Sequence, residues 1–179
     1  VFDKSIKSFG IFITVFSLLF FPARLFAEDV PEELKDKELG TFKKWQAFQL
    51  STGPCLIQSF PTKSQGKYKK RGEIYLHVVL EENSTTAGVI SIRAGYDYKM
   101  DSEVTLSVGA KSFNFFTHTE TADIAWSYEH DEDSIIEHMK KGTKMIVKGT
   151  STRGTNTKDT YSLYGFTAAY KSVFKACKG

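Results

Sequence analysis

Residues 148–156 read KGTSTRGTN, two glycines five positions apart with hydroxyls and an arginine between them. Two readings compete. A phosphate-binding loop of the G-x-x-x-x-G-K-[ST] type needs a lysine to reach the phosphates and a hydroxyl to hold magnesium. Here Thr155 and Asn156 follow Gly154, so both are missing. Such a loop must also open a helix, whose N-terminal amides bind the anion. The residues that follow, TKDTYSLYGF, alternate as a strand, and MIVKGTST precedes them. The stretch is therefore read as a hairpin turning near Arg153-Gly154-Thr155-Asn156, and a G-x-S-x-G nucleophile elbow does not fit it either.

The same period of two runs outward from this hairpin. WQAFQL (45–50) and CLIQSF (55–60) are short strands joined at Thr52-Gly53-Pro54. In EIYLHVVLEE (73–82), Ile74, Leu76, Val78 and Leu80 share one face, while Tyr75, His77 and Val79 share the other. GVISIRAG (88–95) alternates again, and VTLSVGAKSFNFF (104–116) is a hairpin with its tip at Gly109-Ala110. Two helices interrupt the strands. DEDSIIEHMKK (131–141) starts acidic, ends basic and stops at Gly142, the polarity that the helix dipole favours. From Phe166 to Cys177, apolar residues recur at three and four. The expected fold is all-β, an antiparallel sandwich or barrel-like domain with two short helices, the last at the C-terminus. Trp45 and Trp126 are read as core anchors.

Residues 1–27 carry Lys4 and Lys7, then the apolar run FGIFITVFSLLFF (9–21), then ARLFA ending at Ala27. This is the grammar of a secretory signal peptide, the alternative being an uncleaved anchor. Residues 28–42 are read as an acidic flexible lead-in with a turn of helix after Pro31, and residues 43–179 as a single β-rich domain. Setting the leader aside leaves about +1 of the whole-chain charge of +3, since Lys4, Lys7 and Arg24 outweigh Asp3. A nucleic-acid binder advertises a strongly basic face, so that class is excluded. In an oxidising compartment Cys55 and Cys177 are most simply one disulfide, the alternative being two free buried thiols.

EHDEDSIIEH (129–138) gathers His130, Asp131, Asp133, Glu137 and His138, but it contains no H-E-x-x-H and its histidines lie eight apart. Its acidic residues suit the start of a helix, so no metal and no cofactor are expected. No serine is marked as activated, and His77 and His118 have no partner legible in sequence. The chain is read as non-enzymatic, the alternative being a periplasmic hydrolase or transferase with an unrecognised site. TKSQGKYKKRG (62–72) crowds Lys63, Lys67, Lys69, Lys70 and Arg71 around Tyr68. It is either a solvated loop that keeps its neighbours soluble or an electrostatic contact with an anionic surface such as lipopolysaccharide or a host glycan. Lys69, Lys70, Arg71 and, from the last hairpin, Arg153 are the candidate contact residues.

Four ordered blocks resemble the invasion-associated locus B protein family of Gram-negative bacteria. They are CLIQSFPTKSQGKYKKRGEIYLHV (55–78), AGYDYKMDSEVTLSVGAKSFNFFT (94–117), the Ala125-Trp126 pair with its acidic helix ending MKKG (139–142), and KGTSTRGTNTKDTYSLYGFTAAYKSVFKAC (148–177). The resemblance implies an exported protein, periplasmic or outer-membrane-associated or secreted, with a β-rich domain. It implies a role in host-cell invasion or envelope integrity, an unknown envelope or host-surface partner, and no transmembrane domain after leader cleavage. It supplies no catalytic residue. Some members place another cysteine shortly after the tryptophan, where this chain has Phe48 and Leu50, which leaves Cys55 and Cys177 as the one pair.

Overall fold

The structure, a computed structural model, describes residues 35–178. The signal peptide expected over residues 1–27 and the first part of the lead-in lie outside the described residues. Four strands open the chain: β1 (Lys37–Phe42), β2 (Trp45–Gln49), β3 (Cys55–Ser59) and β4 (Lys63–Gly66). Then come β5 (Tyr75–Leu80), β6 (Val89–Arg93), β7 (Val104–Val108), β8 (Lys111–Thr117) and β9 (Ile124–Ser127). Helix α1 (Glu129–Lys141), strands β10 (Lys144–Thr150) and β11 (Asn156–Ser162), and helix α2 (Phe166–Lys178) complete it. The strands form one antiparallel sheet in the order β1-β2-β3-β5-β6-β9-β8-β7-β10-β11-β4. It curves into a half-barrel, the barrel-like form of the expected fold.

Alternation builds the inner face. Ala47, Ile57, Val78 and Ile90 stand opposite one another across β2, β3, β5 and β6, all fully buried. Phe113 and Phe115 of β8, Leu106 of β7, and Met145 and Val147 of β10 continue the same layer. Helix α2 lies against β1, β2, β3 and β5, burying Phe166, Ala169, Tyr170 and Val173 at the expected three- and four-residue spacing. The Phe166 ring meets Trp45 edge-on at 4.9 Å. Helix α1 buries Ile135, Ile136 and Met139. It stops at Gly142, whose backbone is extended; a Cβ there would stand 2.5 Å from Val108 Cγ1 and 2.8 Å from Leu163 Cδ1, so close packing and not its φ of −84° calls for the glycine. The disulfide Cys55–Cys177 ties β3 to the end of α2 across 122 residues, with the Cα atoms 6.0 Å apart.

Three expectations need correction. The lead-in, read as flexible to residue 42, is strand β1 from Lys37, paired along β2. Its polar residues hide the period because it is an edge strand with little to bury, and a register shift between Glu38 and Gly40 breaks the alternation. The basic segment is likewise not all loop: β4 pairs with β11 from Thr160↔Lys63 to Thr157↔Gly66. Trp45 is a core anchor, but Trp126 lies on the outer face, because its neighbours Ala125 and Ser127 take the inner positions on β9.

Only residues 60–62 separate β3 from β4, yet β4 sits at the far edge of the sheet. The curvature makes this possible by bringing β11 back beside the β2–β3 side. Trp45 Nε1 donates to Ser162 O at 3.0 Å, and the Thr62 amide donates to Thr160 O at 2.7 Å.

Candidate functional site

The β10–β11 hairpin, whose tip is the KGTSTRGTN stretch, closes at Thr150↔Asn156. Gly154 has a φ of +77° and donates its amide to Ser151 O at 2.8 Å, so a glycine is needed to turn the tip. Thr155 N bonds to Ser151 Oγ at 3.2 Å, and Thr152 N bonds to Asp97 O at 2.9 Å. The second contact docks the tip on the segment after β6. The loop leads into strand β11 and so does not open a helix.

Beneath the tip lies a buried ion pair. Asp159 points to the inner face of β11, and its side chain and that of Arg71 are each 4% exposed. Arg71 Nη1 and Nη2 donate to the two Asp159 carboxylate oxygens at 2.8 Å each, a bidentate pair. Its Nε and Nη2 also donate to Ala94 O, at 2.9 and 2.6 Å. The guanidinium lies between two rings, 4.9 Å from the Tyr96 centroid and 5.2 Å from that of Tyr68. Burial works against its charge, but the hydrogen bonds and charge of Asp159 outweigh it and hold Arg71 above its ordinary pKa. The Tyr96 hydroxyl meets that of Thr157 at 2.6 Å. Burial raises the pKa of Tyr96, with Thr157 and Arg71 opposing, and burial raises that of Tyr98 further. A Cβ on Gly149 would stand 2.6 Å from Tyr98 Cε1, so the glycine lets β10 settle on this tyrosine layer.

Above this floor opens a cleft of about 550 Å³. Lys67, Lys69 and Lys70 line one wall, and the hairpin tip with Arg153 lines another. The candidate residues from two distant segments thus meet in one concavity, with Lys69, Lys70 and Arg153 exposed. Arg71 differs: it is a buried structural cation whose charge Asp159 already answers. Asp159 and Tyr96 were not singled out from sequence. A signal existed for the first, because an aspartate on the inward phase of TKDTYS, between Thr157 and Tyr161, requires a buried partner.

The acidic helix and the histidines serve elsewhere. Glu132 is buried and accepts from Ser127 Oγ at 2.9 Å, while Asp133 accepts from the Ala87 amide at 2.7 Å. His138 Nδ1 is 2.7 Å from Ser134 O within α1, and His130 stands exposed beside Asp131. His77, on the outer face, stacks on Tyr75 at 4.3 Å, and burial lowers its pKa to about 4. His118 shares a shallow outer recess with Glu120, and none of the four lines the basic cleft. Among the described residues no group of His, Cys, Asp and Glu is placed to hold a metal ion, and no helix is long and apolar enough to cross a membrane.

Residues 41–173, which include both walls of the cleft, match the model of the invasion associated locus B (IalB) protein family. The chain belongs to the IalB family. Among solved structures it resembles the crystal structure of invasion associated protein B from Bartonella henselae, with a TM-score of 0.54 and 13% identity. That likeness covers 76% of this chain and 96% of the other, and at this identity it shows a shared fold. A search of curated proteins returns no match. IalB membership and the Cys55–Cys177 disulfide together point to an extracytoplasmic protein.

Proposed function

We propose that this IalB protein is an exported, non-catalytic interaction module of the bacterial envelope or surface. It contacts an anionic component of the envelope or of a host surface through the basic cleft, in support of envelope integrity or host-cell invasion. One observation carries this reading. Lys69 and Lys70, more than eighty residues from Arg153 in the chain, line the same concavity, above a floor that the Arg71–Asp159 pair holds rigid. Clustered cations in a concave, partly desolvated site raise the local potential and draw in anions, an effect that salt screens.

The test is charge reversal. A Lys69→Glu, Lys70→Glu, Arg153→Glu triple variant keeps its fold, because all three side chains are exposed. Binding to isolated bacterial envelope or to host cells, measured at low salt, is expected to fall at least about tenfold. Unchanged binding to both would overturn the proposal. Arg71 is unsuitable for this test, since its removal strands Asp159 in the interior.

A further inference from the structure

The cleft is not lined by cations alone. Asp97 lies on it beside the lysines and Arg153, and like them it is exposed. Among the described residues Asp97 makes no ion pair, and neither do Lys67, Lys69, Lys70 or Arg153. The charges are therefore not spent on one another. A carboxylate is out of place in a site for a bare anion, which it repels. It suits a ligand that also offers hydroxyl donors, because a carboxylate is an acceptor with lone pairs on both oxygens. Hydroxyls of the hairpin tip, from Ser151, Thr152 and Thr155, line the same wall and can donate or accept.

Shape narrows the class further. The cleft volume falls within the roughly 300–1,000 Å³ of small-ligand sites, and the walls are concave, so sugar-sized units enter where a flat bilayer would not. Arg71 contributes rigidity here, held from both sides by Tyr68 and Tyr96 and from below by Asp159.

We infer that the cleft between residues 67–71 and the β10–β11 hairpin tip binds an acidic saccharide. Its phosphate, sulfate or carboxylate group meets the lysines and Arg153, and a neighbouring hydroxyl donates to Asp97. This rests on the reading of the cleft as an anionic contact and names the ligand for it. Such a sugar could come from the phosphorylated glycans of the envelope or from the sulfated glycans of a host surface, and the chemistry of recognition is shared.

Calorimetric titration of the purified full-length protein decides it. The probes are a phosphorylated core oligosaccharide, a sulfated oligosaccharide, a neutral oligosaccharide, inorganic phosphate and phosphatidylglycerol vesicles. At least one acidic oligosaccharide is expected to bind at least about tenfold tighter than the neutral sugar and inorganic phosphate, the worth of one added charge-assisted bond. Asp97→Asn should weaken that oligosaccharide about tenfold while leaving phosphate and vesicle binding equal or stronger. Tighter binding of the phosphorylated probe assigns the envelope as source, and tighter binding of the sulfated probe assigns the host. If Lys70→Glu with Arg153→Glu weakens vesicle binding while acidic sugars bind no better than phosphate, or if Asp97→Asn changes nothing, the saccharide inference falls and the anionic contact stands. If charge reversal affects no probe, the contact itself falls. Unchanged thermal melting of each variant separates these outcomes from misfolding.

Discussion

The half-barrel is secured in two ways on its two sides. Where α2 meets β1, β2 and β3, the contact is apolar: Trp45, Phe166, Ala169 and Val173 are fully buried, and the disulfide locks the helix end to β3. Burying one such large side chain is worth about 1.5–3 kcal/mol, so this side favours the folded state strongly. Under the β10–β11 hairpin the interior is polar, with Asp159, Arg71, Thr157 and two tyrosines in one network. A buried ion pair contributes little net stability, because the cost of removing both charges from water offsets their attraction. Apolar packing therefore makes the domain stable, while the ion pair gives one wall of the cleft a fixed shape.

Breaking the polar side from one partner should have the largest effect. Asp159→Ala leaves the Arg71 charge buried and unpaired, and urea denaturation should show a loss of about 3–5 kcal/mol. Replacing both partners, as Arg71→Met with Asp159→Leu, should recover most of that loss while weakening cleft binding. A double variant as unstable as Asp159→Ala would break the contrast. On the apolar side, Cys55→Ser with Cys177→Ser should cost about 2–4 kcal/mol, the usual worth of closing a long loop. Cleft binding in the surviving folded protein should be unchanged, because the disulfide lies outside the cleft lining.

The smallest effect comes from His77. Its pKa falls from the ordinary 6.5 to about 4 through burial, so the unfolded chain binds its proton more readily than the folded one. This contribution is intact above pH 6.5 and is lost as the pH falls from 6.5 towards 4. Between pH 6.5 and 5, before most carboxylates titrate, the protein should lose stability modestly, and His77→Gln should flatten that slope. An unaltered slope in the variant would remove His77 from the account.

The elements most legible in the sequence were those that bury one full face. EIYLHVVLEE declared both faces of β5, and VTLSVGAKSFNFF declared its hairpin down to the two tip residues. Edge strands β1 and β4 were illegible for a matching reason: their residues are largely exposed and polar, and their pairing depends on what β2 and β11 offer. In the candidate site, the exposed cations were visible as a basic run. The role of Arg71 was not, because nothing local distinguishes a buried arginine from the solvated lysines beside it. The outward turn of Trp126 was also hidden, since composition marks a tryptophan as a core residue without naming its face.

By itself, the sequence determined the period of the segments that bury one face, the hairpin turns between them and the helix face that carries Cys177. These depend on neighbours a few positions apart, whose geometry the backbone dictates. Tertiary structure alone decided the strand order, the placement of β4 beside β11 and the meeting of Arg71 with Asp159 across 88 residues. Those pairings depend on the curvature of the completed sheet, and a curved sheet brings together side chains whose separation along the chain carries no trace of their contact. KGTSTRGTN illustrates both. Its turn was legible in its glycines and its alternating flanks, whereas its standing as the wall of a cleft came only when residues 67–71 were laid beside it.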